Sequence, residues 1–148
     1  MKLVLAALLL TSACFAQELD LSQPRLHKFT VAVARAEGFG MRHAIPTRYH
    51  NPGDLKANPC PLLGQTCKVK GIGKGGHIIF ASDADGWRAL EAQIRLVLLG
   101  QSRHYSANMT LAQMSRKYAG NWRRWLGSVT KYLDVPSNTQ LAEYLEYA

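Results

Sequence analysis

Ala34-Arg35-Ala36-Glu37-Gly38-Phe39-Gly40 decides how this sequence is read, because a lone acid stands where an apolar helix face runs into glycine. Upstream, Leu26, Phe29, Val33 and Ala36 recur at helical spacing, and Ser22-Gln23-Pro24 supplies a cap and a first-turn proline. The spacing predicts a buried helix to about Ala36 that stops at Gly38, since glycine takes the left-handed stop conformation without steric cost. Glu37 then lies on the last turn, where the backbone opens out. Two readings of it stand side by side. A carboxyl on an apolar face loses hydration, which raises its pKa and lets it keep a proton for general acid catalysis near neutral pH. The other reading is an exposed residue that tips the helix end into water.

Downstream, Phe39 to about Gln65 is rich in Gly, Pro, Asn and Arg without periodicity, which predicts a long ordered loop of the kind that usually carries function. Glycines 71, 73, 75 and 76 then separate Lys68-Val69-Lys70 from Ile78-Ile79-Phe80, which predicts a short hairpin. A phosphate-cradling loop fits these glycines poorly, as no strand-then-helix context follows and no Ser or Thr succeeds the lysine. Ser82-Asp83-Ala84-Asp85 opens a helix with acids in its first turn, and Trp87, Leu90, Ile94 and Val97 form its core stripe. Thr110 opens another through Leu111, Met114 and Tyr118. Trp122 to Tyr132 makes a further helix, and a last one starts at about Thr139. The expected fold class is α+β and mostly α, in a single domain, since 148 residues are too few for two sizeable cores.

Residues 1–16 read as a secretory signal: Lys2, an apolar run from Leu3 to Leu10 that is too short to span a bilayer, and small residues ending at Ala16. Residues 17–148 would then form the exported domain, periplasmic or extracellular, without stable membrane insertion. Leu10-Thr11-Ser12-Ala13-Cys14 also approximates a lipoprotein cleavage box, with threonine where leucine is expected. Loss of the leader removes Cys14 and leaves Cys60 and Cys67, an even pair that forms a disulfide in an oxidising compartment or else stays as two free thiols. A bridge there closes a short loop, worth about 2 to 3 kcal/mol in the chain-entropy model.

Net charge is +8, or +7 once Lys2 is gone, and the pI is near 9.7. Such a surface favours polyanionic partners, and export turns the expectation from nucleic acid to a bacterial wall or an anionic membrane. His43 and His50 lack the spacing of a zinc site, and no nucleophile-elbow glycine pattern supports a serine hydrolase, so neither metal nor cofactor is expected.

Ala36-Glu37-Gly38-Phe39, then Ala44-Ile45-Pro46-Thr47-Arg48 and Asn51-Pro52-Gly53-Asp54-Leu55, resemble bacterial and phage lytic transglycosylases and muramidases of the lysozyme-like superfamily. Asp85-Gly86-Trp87-Arg88-Ala89-Leu90, Lys117-Tyr118-Ala119 and Asn121-Trp122 follow in the order seen there, and the order is also similar to that of wall-trimming glucosaminidases. The resemblance covers nearly all of the chain after residue 16. It implies a lysozyme-like fold, acting as a monomer, that cuts the β-1,4 linkage between N-acetylmuramic acid and N-acetylglucosamine in peptidoglycan glycan strands. Glu37 matches the catalytic glutamate and Tyr118 the tyrosine that orients sugar or stabilises charge. Asn51 and Asp54 would line the cleft.

Position 54 departs from the family, where asparagine is commoner. Asp54 is therefore either a second catalytic carboxylate or a cap on backbone amides of the loop, and the structural role is the one favoured. Many transglycosylases use one acid, with the substrate's N-acetyl group and 6-hydroxyl supplying the rest. Among the tryptophans, Trp87 reads as core, while Trp122 or Trp125 is a platform for a sugar ring, with Trp122 taken as the substrate contact. Two rival functions remain: a wall-binding or inhibitory protein on the same scaffold, and a cationic antimicrobial whose killing survives loss of Glu37.

Overall fold

Helix α1 spans Pro24–Ala36 in a computed structural model that describes residues 24–146 of the chain; the expected leader, Cys14 and the Ser22-Gln23 cap lie outside the described residues. α1 buries Leu26, Phe29, Ala32 and Val33. It stops as its sequence predicts. Gly38 has φ +84°, its N–H donates to Arg35 O at 3.0 Å, and the Phe39 N–H donates to Ala34 O at 2.9 Å. This pair of bonds closes the helix around Glu37 and leaves that residue at the C-cap.

The stretch from Phe39 to Gln65 has more regular structure than the single loop its composition predicts. It holds a short helix, α2 (Ile45–Arg48), and a 3₁₀ turn, Cys60–Leu63. Between them the chain is held by tertiary hydrogen bonds, which leave no periodic trace in sequence. Phe80 N–H donates to Tyr49 O and Ile78 N–H donates to Leu55 O, both at 2.9 Å, so residues 49–55 run beside the hairpin. The hairpin pairs β1 (Val69–Ile72) with β2 (Ile78–Phe80) antiparallel, with Ile72 opposite Ile78 and an irregularity between Val69 and Gly71.

Helix α3 (Asp83–Leu98) starts at Ser82, whose hydroxyl accepts from Asp85 N–H. α4 (Leu111–Tyr118) starts with a reciprocal Thr110–Gln113 capping box, and α5 (Trp122–Leu133) with Asn121 accepting from Arg124 N–H. α6 (Leu141–Glu146) closes the order, so the described residues form six helices and one two-stranded antiparallel sheet, an α+β arrangement dominated by helix.

Two cores meet at α3. Leu90, Ile94 and Val97 pack with Phe29, Leu111, Trp125, Val129 and Leu141 into a helical lobe. Ala89 and Ala92, on the other side of α3, pack with Leu55, Ile78, Phe80 and the half-cystines Cys60 and Cys67 into a loop and hairpin lobe. The small alanines let this lobe sit close. At Gly86 a Cβ would come 1.9 Å from His50 O, so only glycine allows the loop to cross the helix there. Cys60 and Cys67 are joined by a disulfide, with their Cα atoms 5.9 Å apart. Trp87 is only half-buried, at the edge of the helical core, with its ring edge-to-face on Phe39. No helix of the described residues is long and apolar enough to cross a membrane.

Candidate active site

A cleft of about 860 Å³ opens between the two lobes. Glu37 enters it from the end of α1, Asp54 from the loop, His77 from the hairpin, Tyr118 from α4 and Trp125 from α5. Five separate elements thus bring their polar atoms into one concavity, the usual setting of a small-substrate site.

Glu37 is the most perturbed acid. Burial, and next the charge of Asp54, push its pKa up to about 7. The Trp125 indole N–H opposes the rise, and least of the three influences, because it misses hydrogen-bonding geometry: Glu37 Oε1 and Trp125 Nε1 are each buried without a partner. An orphaned carboxyl oxygen at the head of a cleft is a group with capacity to spare for a bound ligand. At pH 7 about half of such groups hold a proton, which suits an acid that must donate.

Asp54 sits at φ +50°, a conformation that few non-glycine residues adopt. Burial raises its pKa, while the positive charges of His77 and then Lys56 pull it back. His77 Nδ1 lies 2.9 Å from Asp54 Oδ1 and 3.0 Å from the Asp54 carbonyl, and hydrogen-bonding geometry is met only at the carbonyl. The carboxylate oxygen is therefore buried and free of hydrogen bonds.

The loop-capping role favoured for Asp54 belongs instead to Asn51. Fully buried, Asn51 accepts from Leu55 N–H at 2.8 Å and donates to Leu55 O and Ile78 O at 2.9 Å each. It clamps the loop to β2 beneath the cleft and does not line it. Tyr118 does line it. Its hydroxyl donates to Gly53 O, tying α4 to the loop, and its ring packs on Trp125 and Tyr105 with centroids 5.3 and 5.9 Å away. Burial first, then the nearby Glu37, hold its phenol well above the ordinary range, so it acts as a neutral hydrogen-bonding group.

Trp122, expected against a sugar, is absent from the cleft wall. Its ring is flanked by the Arg116 and Arg123 guanidiniums, 4.9 and 4.5 Å from its centroid, on a half-buried outer face of α5. Trp125 takes the inner position because it lies three residues on, on the face that α5 turns to the core. Tyr105 and His77 complete the site without having been singled out from sequence.

The cleft is lined by four cations, Arg35, Lys56, Lys117 and Arg124, and its acids are Glu37 and Asp54. The salt bridges among the described residues are His50–Asp83, His77–Asp54 and Arg88–Asp85, so none of the four cations is neutralised. No cluster of three His, Cys, Asp or Glu side chains among the described residues is placed to hold a metal ion. No family model, no curated protein and no solved structure matches this chain, so its function is argued from the site itself.

Proposed function

We propose that the chain is an exported peptidoglycan-cleaving glycosidase of lysozyme-like type, with Glu37 as its general acid. One observation carries this reading: a carboxyl at the mouth of a buried helix, desolvated to a pKa of about 7 and orphaned of hydrogen bonds, heads an inter-lobe cleft beside a second buried carboxyl. Glu37 gives its proton to the glycosidic oxygen as the bond from that oxygen to the anomeric carbon breaks, and the electron pair leaves with the oxygen. The oxocarbenium-like carbon is then captured by water or by the muramic 6-hydroxyl. Tyr118 holds the loop that carries Asp54 and presents a neutral hydroxyl near the reacting groups. The four cations favour a wall polymer rich in carboxylates and draw it in from solution.

Between the two capture routes, a specific observation favours water. Asp54 caps no backbone amide and keeps a buried oxygen free of hydrogen bonds beside the His77 imidazole, as a base or nucleophile requires and as a loop cap does not. Digestion of purified peptidoglycan followed by mass spectrometry tests both levels. Release of muropeptides by the wild type and not by Glu37→Gln supports the acid role, and reducing ends identify water while anhydro ends identify the 6-hydroxyl. Equal release by both proteins removes Glu37 from the mechanism, and no release by either leaves a wall-binding protein.

A further inference from the structure

His77 is a titratable side chain of the cleft to which the proposed reaction gives no task. It immediately precedes β2, and its carbonyl accepts from Gly73 N–H at 2.7 Å across the turn. Gly75 and Gly76 of that turn both have positive φ, +72° and +81°. A Cβ on Gly75 would come 3.1 to 3.2 Å from Cδ2 and Nε2 of His77, so the imidazole rests against a backbone bare of side chain. The turn therefore holds the ring with Nδ1 toward Asp54, and the two side chains are only 16% and 26% exposed, which limits screening by water.

We propose that His77 is a positioning residue that keeps Asp54 as the ionised partner of Glu37, so that the two carboxyl groups of the cleft take opposite roles. The inference rests on the glycosidase reading of Glu37. Two carboxyls sharing a desolvated site disfavour joint ionisation, and without a third group the proton has no assigned owner. The charged and titratable groups around Asp54 are Glu37 from α1, Lys56 from the loop, His77 from the hairpin and Tyr118 from α4. Both cations act on Asp54, and no cation ranks among the influences on Glu37. The asymmetry assigns the proton to Glu37 and the charge to Asp54. Asp54 then takes a proton from the attacking water as Glu37 gives one up, and exchange with solvent restores the pair.

His77→Asn tests this, since an amide nitrogen in place of Nδ1 keeps a donor for the Asp54 carbonyl and removes the charge. Carboxyl NMR of Asp54 in full-length protein should show its titration midpoint moving up in the variant. In kcat/KM against pH, the ratio of activity at acid pH to that at neutral pH should fall by roughly threefold to tenfold. Should that variant not fold, His77→Gln carries the same test in full-length protein: its Asp54 midpoint lies above that of the wild type, and an unmoved midpoint overturns the inference. An unmoved Asp54 midpoint in folded His77→Asn overturns it as well. A wild type that cleaves no glycan overturns only the glycosidase reading, because the Asp54 titration does not depend on turnover.

Discussion

The two lobes on either side of α3 are built by different physics. In the helical lobe, Phe29, Val33, Leu90, Ile94, Leu111 and Val129 lie on apolar stripes and bury against one another, so repeated apolar contacts supply the cohesion. The loop and hairpin lobe has few large side chains beyond Leu55, Ile78 and Phe80. It depends on the Asn51 clamp, the Cys60–Cys67 bridge and the bare Cα of Gly86 under His50 O. One lobe tolerates changes that preserve volume, whereas the other depends on single atoms in single places. The two carboxyls of the cleft are divided accordingly, with Glu37 at the end of a robust helix and Asp54, beside His77, on the lobe held by particular bonds.

The largest effect that breaks this division is expected at Glu37. Glu37→Gln should lower turnover on peptidoglycan by about two to four orders of magnitude, the usual share of a general acid, while wild-type activity declines as pH rises through about 7 and the proton leaves. The folded state raises this pKa above the ordinary 4.5, so native Glu37 binds its proton more tightly than the unfolded chain does and costs stability as pH climbs from about 4.5 to 7. Thermal melting should accordingly show Glu37→Gln more stable than wild type at neutral pH, and an unchanged Tm with full activity sinks the assignment.

Next in size is the clamp. Asn51→Ala removes the acceptor of the buried Leu55 N–H and a donor of the Ile78 carbonyl, while the Leu55 carbonyl keeps the Ile78 N–H, at a cost of about 3 kcal/mol in urea denaturation. Hydrogen exchange should localise the loss to the loop and hairpin lobe, with the amides of α1 and α5 still protected. Uniform loss across both lobes means that they do not differ as argued above. Replacing both Cys60 and Cys67 by alanine should cost somewhat less, about 2 to 3 kcal/mol, again mostly in that lobe, and the unreduced wild type should show neither thiol in denaturant. The smallest expected effect is that of Trp122→Ala. Its ring meets two exposed arginines away from the cleft, so stability should drop by about 1 kcal/mol or less and KM on peptidoglycan should hold, whereas Trp125→Ala damages both.

Much of the helical lobe can be read directly along the chain. Stripes at helical spacing, the Thr110 cap and the glycine stop at 38 are local signals with local causes, so α1, α3, α4 and α5 fall within a residue or so of their predicted bounds. Glu37 belongs to the same class, because its place on the last turn of an apolar helix follows from spacing. The two-strand hairpin is equally local, framed by glycines. His77 leaves one faint trace, a lone polar residue between Gly75-Gly76 and Ile78-Ile79, and Tyr105 leaves none in its aperiodic loop.

The rest depended on which segments meet in three dimensions. Asn51 and Asp54 stand three residues apart in one polar loop, yet one is the buried clamp and the other faces the cleft, because β2 offers the Ile78 carbonyl only to the first. Of Trp122 and Trp125, both candidates for a sugar platform, only Trp125 reaches the cleft, because α5 turns its face to α1 and α4. Chain order and apolar spacing thus settle the helices, the hairpin and the acid at the helix end, since each needs only near neighbours. The raised pKa of Glu37, the orphaned oxygens and the charge facing Asp54 arise from groups 17 to 88 residues from Glu37 in the chain (Asp54, His77 and Trp125), and from the exclusion of water among them. No local signal encodes that desolvation, which exists only when five elements close around one cleft.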